Sequence, residues 1–305
     1  MPWETPQTWT SDKVLTNDDF NRIEGNQEHI KNYTAYFRLF QRRVVEMDVK
    51  TLNIGNQGYI NVFPGACCSD IFNGVTRCIA HGGYSKKIDS WASGDNNGGL
   101  LPGVTLSANM WLYVFALGNT GNDSFDICIE DTAYAFRINQ LMPTTLSAYN
   151  TYRRVACIKV EAVYSSTICT LYPMITQGER VYYGAEPTRQ VCSIIPANNT
   201  NLQSLQFYDS TYGHLCPNGS DFDFIICGYF QRSASPVQIW STLFPSAFSE
   251  DFSQAKLNTT QKTYTEFLIN ANSPYAYFRT NGGTEVLFFW VTGIIDDRRY
   301  SIGLT

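Results

Sequence analysis

The chain has 305 residues, with 22 Lys and Arg against 27 Asp and Glu and a net charge of −5. No basic run is present to track phosphates, which excludes a nucleic-acid groove; Arg42-Arg43, Arg153-Arg154 and Arg298-Arg299 are isolated pairs expected at the surface or in interfaces. Charged residues make up only 16% and aromatics 14%, against roughly 25% charged in an average soluble protein, a balance that describes β-sheet with decorated loops.

Residues 1–16 are extended and rich in Trp, Pro and Thr, with Trp3 and Trp9 as isolated large side chains. A polar segment has no core of its own to bury them, so Trp3 and Trp9, with Phe20 just beyond, are expected to insert into another surface. A helix over 17–48 follows. Its start is marked by Thr16 and Asp19, which resemble a capping box, and by Asp18 and Asp19 at the positive end of the helix dipole.

Ile23, Asn26, Ile30, Tyr33, Phe37, Phe40, Val44 and Met47 alternate in steps of three and four, the seam of a coiled coil. Asn26 is the polar member that fixes register, and the successive aromatics suit a bundle wider than two strands. A homotrimer is the expected assembly. The same stripe could instead lie on the β region of its own chain.

After residue 48 the period becomes alternating. Strands are expected at Tyr59–Phe63, Met110–Leu117, Phe125–Ile129 and Val155–Val163, separated by Gly- and Asn-rich turns such as Ser93–Gly99. They predict a β-sandwich or jelly-roll module over 49–182. A second β domain over 183–305 is expected, with strands at 223–230, 237–243, 263–269, 275–279 and 285–294 and a short helix at Phe248–Leu257. The fold class is thus mainly β behind a coiled-coil helix.

Two segments carry a family resemblance. The stretch from Trp9 to Asn26 joins a tryptophan, a polar stretch, the Thr16 cap and an acid-rich start to an Asn-containing helix. It resembles the N-termini of phage and prophage tail-fibre, baseplate and related structural proteins. The second comprises Trp91 to Leu100 with its Gly-rich turn, then Trp111-Leu112-Tyr113-Val114-Phe115, then Tyr149-Asn150-Thr151-Tyr152-Arg153-Arg154-Val155. It is similar to a β module of tail-fibre-like proteins. The resemblance covers residues 9 to 160 and assigns no receptor-binding residue. It implies an N-terminus attached to other virion proteins, trimerising helices, and a distal β region meeting a glycan or protein on the host surface.

Enzyme chemistry finds little purchase. There are three histidines, His29, His81 and His214, and no Gly-x-Ser-x-Gly elbow. The acid pairs Glu130/Asp131, Asp221/Asp223, Glu250/Asp251 and Asp296/Asp297 have the residue types of a glycosidase, but acids adjacent in sequence mark turns and strand ends. Asp95-Asn96-Asn97-Gly98 lacks the spaced acids of a calcium loop, and no Gly-Gly pair precedes a phosphate-binding helix. For Tyr208, Tyr212, Tyr229, Trp240, Tyr275 and Tyr277 core or interface packing is the first account, and stacking of a sugar ring on one or two of them is the alternative.

Nine cysteines, an odd number without C-x-x-C spacing, are expected to be mostly small buried hydrophobes rather than disulfides or zinc ligands. The start shows no signal peptide, and no run is long enough to cross a bilayer. No catalytic residue, metal or cofactor is therefore expected. The expected function is a tail fibre or receptor-binding protein in the virion. The alternatives are a neck, baseplate or head-decorating protein, or a glycan depolymerase.

Overall fold

The computed structural model describes residues 44–45, 47–68, 78–81, 83–119, 124–178 and 180–184. It also describes 192–194, 203–206, 208–209, 213–217, 222–232, 239–244, 253–257, 263–270, 275–280 and 285–296. Trp3, Trp9 and Phe20 and the seam from Ile23 to Phe40 lie outside these residues.

The last two seam positions are described, and they are not helical. Val44–Val45 forms strand β1, paired with β4 (Gly65–Cys68) through Val44 and Cys67. Met47 is completely buried in the β core beside Val49. The helix expected to reach residue 48 therefore does not extend over Val44–Val45 or over Met47 and Asp48. The reason is local: two adjacent β-branched residues favour an extended backbone, and Met47, Val49 and Thr51 alternate inward, a period that a sheet satisfies and a helix does not.

β2 (Val49–Ile54) and β3 (Gln57–Val62) make a hairpin, and β3 turns every second residue, Gly58, Ile60 and Val62, inward. β5 (Cys78–His81) joins β4. β6 (Tyr84–Ser90), β7 (Gly98–Leu100), β8 (Trp111–Gly118), β9 (Phe125–Glu130) and β10 (Thr151–Ser165) extend the main sheet, with β7 running parallel to β6 and β9. β11 (Ile168–Leu171) folds back on β10, and β12 (Met174–Gln177) returns to β2 through Ile175 and Lys50.

The sheet curls until β11 lies over β3. A Cβ on Gly58 would sit 2.9 Å from Leu171 Cγ and 3.0 Å from the Cys169 carbonyl oxygen, so glycine is the residue that this approach tolerates. The Asn53 side chain locks the same contact, donating to the Leu171 carbonyl and accepting from its amide, both at 2.9 Å.

β13 (Arg180–Tyr183) pairs with β12 on one side and β23 (Glu285–Asp296) on the other. The sheet thus runs through the boundary expected at residue 182. β14 (Cys192–Ile194) and β18 (Phe222–Arg232) also pair with β23, and β21 (Thr263–Asn270) adds to β18. Between them, β15 (Gln203–Gln206), β22 (Tyr275–Thr280), β19 (Ile239–Phe244) and β20 (Ser253–Leu257) form a four-stranded sheet, and β16 (Tyr208–Asp209) pairs with β17 (Gly213–His214). β20 occupies residues expected to be helical. Its Ser253 to Leu257 backbone is captured by β19 from Leu243 back to Ile239.

Among the described residues the protein is mainly β, with one short helix, Phe136–Leu141. β8 organises the core because all eight of its residues are buried. Leu112, Val114 and Ala116 face an inner core with Ile60, Ile88, Ile127, Ile158 and Leu171. Trp111, Tyr113, Phe115 and Leu117 face a second core, closed by Ile138, Leu146 and Tyr149 from the helix and its following loop. Val181, Phe222, Val291 and Ile294 of the later strands complete that second core, so residues from both expected β domains share it.

Candidate functional site

Four of the described charged side chains that are completely buried, Lys86, Asp126, Arg154 and Asp296, are used as fasteners. On β6, Lys86 alternates inward with Ile88, placing a cation in the interior. Its Nζ lies 2.8 Å from Asp126 Oδ1 and donates to the Ala92 carbonyl at 2.7 Å, with the rings of Tyr84 and Trp91 at 5.6 and 5.8 Å.

Asp126 also accepts from the amides of Gly94 and Ile127 and from the Tyr149 hydroxyl. Burial pushes the Asp126 carboxyl up, but the hydrogen bonds from Lys86 and the amides outweigh it and hold the carboxyl below its usual value. Burial raises the Tyr149 phenol to about 12, so it keeps its proton and donates a hydrogen bond to Asp126. That leaves Ser93 Oγ as donor to Tyr149 at 2.9 Å.

The Gly-rich turn after Trp91 is thereby held from both ends. Gly98 is demanded there, since a Cβ would meet the Ser90 carbonyl oxygen at 1.9 Å. Trp91, the turn and Tyr149 are all parts of this clamp.

A second fastener joins the two halves of the chain. Arg154 on β10 meets Asp296 at the end of β23 at 2.7 Å, both completely buried. It donates to the Ala133 carbonyl at 3.1 Å and lies 5.0 Å from the centre of the Phe222 ring and 6.0 Å from that of Tyr113. Lys159 on the same strand donates to the His214 carbonyl at 2.5 Å, with Trp111 and Tyr172 rings at 5.3 and 5.5 Å. Trp111 donates to the same carbonyl, and the Tyr183 hydroxyl donates to Leu215. Arg153 and Arg154, expected at a surface or interface, are thus interior residues, 3% and 0% exposed.

Of the acid pairs, Glu130 and Asp131 separate into two roles. Asp131 takes both arms of Arg137 at 2.8 and 2.9 Å. Glu130 is completely buried and accepts the Arg137 amide at the start of the helix. Burial drives its carboxyl up to about 7, the Arg137 amide and guanidinium opposing and Asp131 assisting. Asp296 belongs to the Arg154 pair. Asp221, Glu250, Asp251 and Asp297 lie outside the described residues.

His81 is placed by backbone pairing opposite Gly65, and His214 acts through its carbonyl. Among the described residues no group of three or more His, Cys, Asp or Glu could hold a metal.

The exposed apolar side chains lie at turns and their margins. Ile54 ends β2 at the β2–β3 turn, Phe63 follows β3, and Tyr164 and Ile168 flank the β10–β11 turn. Tyr134 and Phe136, 51% and 62% exposed, straddle Ala135, which is 1% exposed and left-handed at φ 55°. That conformation is unusual for a residue with a Cβ; it buries Ala135 and leaves an aromatic ring exposed on either side. Sequence reading missed this pair because nothing in Thr-Ala-Tyr-Ala-Phe signals a left-handed alanine.

No family model and no curated protein matches the chain. Among solved structures, it is similar at 14% identity to the VP2 subviral particle of infectious bursal disease virus, covering 86% of this chain and 73% of that one, with a TM-score of 0.16. A likeness of that size carries no argument about fold or function.

Proposed function

We propose that the chain is a structural protein of a bacteriophage particle, a tail fibre or receptor-binding protein. In this reading the N-terminus attaches to the virion, the segment before Val44 trimerises, and the β region meets the host surface. The resemblance of residues 9 to 160 and the seam from Ile23 to Phe40 motivate the first two parts.

One structural observation carries the third. Lys86, Asp126, Arg154 and Asp296 are spent in interior clamps, one holding a turn and one the last strand, while Ile54, Tyr134, Phe136, Tyr164 and Ile168 remain exposed at turns and on the helix margin. A rigid body that presents apolar and aromatic side chains on turns suits recognition, where large, stiff side chains anchor an interface. Three such bodies on one stalk would gain avidity from tethering.

The test combines three measurements on the purified full chain. Native mass at micromolar concentration should give three chains per particle. The protein should compete with phage adsorption to host cells, and a variant carrying Tyr134→Ser and Phe136→Ser should lose that competition while keeping its melting temperature. A lone chain, or competition unaffected by the substitutions, overturns the corresponding part. Adsorption without release of reducing ends from host glycan separates this reading from a depolymerase.

A further inference from the structure

Glu130 is the last residue of β9, and the chain that follows it closes on itself. Asp131 to Phe136 leave the sheet and return, so that the Arg137 amide donates back to Glu130 Oε2 at 3.1 Å. Asp131 meanwhile grips the Arg137 guanidinium at 2.8 and 2.9 Å. On the way this loop buries Ala133 and Ala135 in the second core and carries Tyr134 and Phe136 outward. Arg154 holds the Ala133 carbonyl at 3.1 Å. A buried carboxyl therefore stands at the base of the exposed aromatic pair.

That carboxyl is poorly compensated. Glu130 is completely buried, and its second oxygen, Oε1, has no hydrogen-bond partner. The Arg137 guanidinium, which could neutralise it, is committed to Asp131. Tyr113 stands opposite Glu130 on β8, and Cys128 lies two residues back on the same face. Burial holds both of those groups well above their ordinary values, so neither takes a charge. Thr132 beside it has only a hydroxyl to offer. An ionised Glu130 would keep one amide donor where water supplies several. Burial accordingly raises its carboxyl to about 7, the Arg137 amide and guanidinium opposing and Asp131 assisting.

The surroundings of Glu130 are unequal in strength. Tyr113 and Cys128 are fixed by the ladder between β8 and β9, whereas Asp131 to Ala135 have no strand partner. The loop is the side that can give way and admit water. We propose that Glu130 is a protonation-operated latch: neutral, it holds residues 131–137 against the second core with Tyr134 and Phe136 set outward, and ionised, it draws in water and frees that loop. The latch stands on the placement of Glu130, and only its bearing on host recognition rests on the function proposed above.

The fold raises the Glu130 value, so the latch is fully closed below the ordinary 4.5 and weakens as pH rises through about 7. With 4.5 in the open loop and about 7 in the closed one, the open population should rise about tenfold from pH 6 to pH 8.

Amide hydrogen exchange on the full chain tests this, with each rate divided by the intrinsic rate at its pH. The amides of Arg137, Asn139 and Met142, bonded to Glu130, Ala135 and Ile138, report the loop, and those of β8 report global unfolding. The loop amides should exchange far faster than those of β8 at both pH values and gain about tenfold from pH 6 to pH 8. Glu130→Gln, which cannot ionise, should show no gain. Loop amides indifferent to pH, loop amides as protected as those of β8, or an equal gain in Glu130→Gln each overturn the latch. The first two outcomes are read on the native chain, so the test holds even if Glu130→Gln fails to fold. Competition with phage adsorption is measured at the same two pH values. A fall at pH 8 that Glu130→Gln lacks ties the latch to recognition. A loop that opens while competition stays constant keeps the latch and removes the aromatic pair from recognition.

Discussion

The clamp around Lys86 and the clamp around Arg154 are built alike. Each has a buried cation, a carboxylate within 3 Å and aromatic rings nearby. They differ in reach. Asp126, Gly94 and Tyr149 all come from the first β region, and their bonds shape one turn against one strand. Asp296 lies 142 residues from Arg154, and its bond fixes the last strand against β10. One device therefore sculpts a loop in one place and unites two halves of a chain in the other. In each, removal of one partner strands a charge in the interior, which costs more than the pair contributes.

The largest expected effect is at the long-range clamp. Asp296→Ala should destabilise the chain by about 3–5 kcal/mol, read as a loss of denaturation midpoint. The double variant Arg154→Met with Asp296→Leu should recover most of that loss, because it removes both charges and keeps the volume. Recovery by neither change would mean that the second core, not the ion pair, unites the halves.

Asp126→Ala should cost a similar amount, about 3–5 kcal/mol for a buried charge left alone, but with a different first symptom. Limited proteolysis should open the turn at Ser93–Gly99 before the C-terminal strands, whereas in Asp296→Ala the order should reverse. Identical cleavage orders would erase the distinction between a local and a long-range clamp.

Tyr149→Phe removes one charge-assisted donor and leaves Asp126 with Lys86, two amides and the Tyr84 hydroxyl. It should lower stability by about 1.5–3 kcal/mol.

A further effect is confined to a pH window. Glu130 has a folded value near 7, above its ordinary 4.5, so the fold favours its protonated form. Its contribution is intact below about pH 4.5 and is lost as pH rises towards 7. Asp126 acts oppositely: its stabilisation is present above its ordinary 3.8 and is lost only as pH falls below that. Melting temperatures should decline from pH 5 to 7 in the native chain and flatten in Glu130→Gln. A parallel decline in both would remove Glu130 as the cause.

Much of the β architecture was legible because alternation is a local signal. The strands expected at Met110–Leu117, Phe125–Ile129, Thr263–Ile269 and Glu285–Ile294 are found within a residue or two as β8, β9, β21 and β23. Reading failed where an extended partner overrode a weak helical pattern, at Val44, at Met47 and at Ser253–Leu257. It failed also at the Arg153-Arg154 pair, because a buried arginine looks like a surface one until its carboxylate partner is in place. The left-handed Ala135 and the aromatic pair around it had no sequence signal at all.

Composition and period by themselves determined that this chain builds sheets, where some of the longer strands lie, and that Gly and Asn punctuate them, since those preferences act between neighbours in sequence. Which residues become interior fasteners, and that β13 carries one sheet across an expected domain boundary, were decided only by tertiary structure. Desolvation, charge pairing and strand register depend on groups that sequence separation keeps apart and folding brings within a few ångströms.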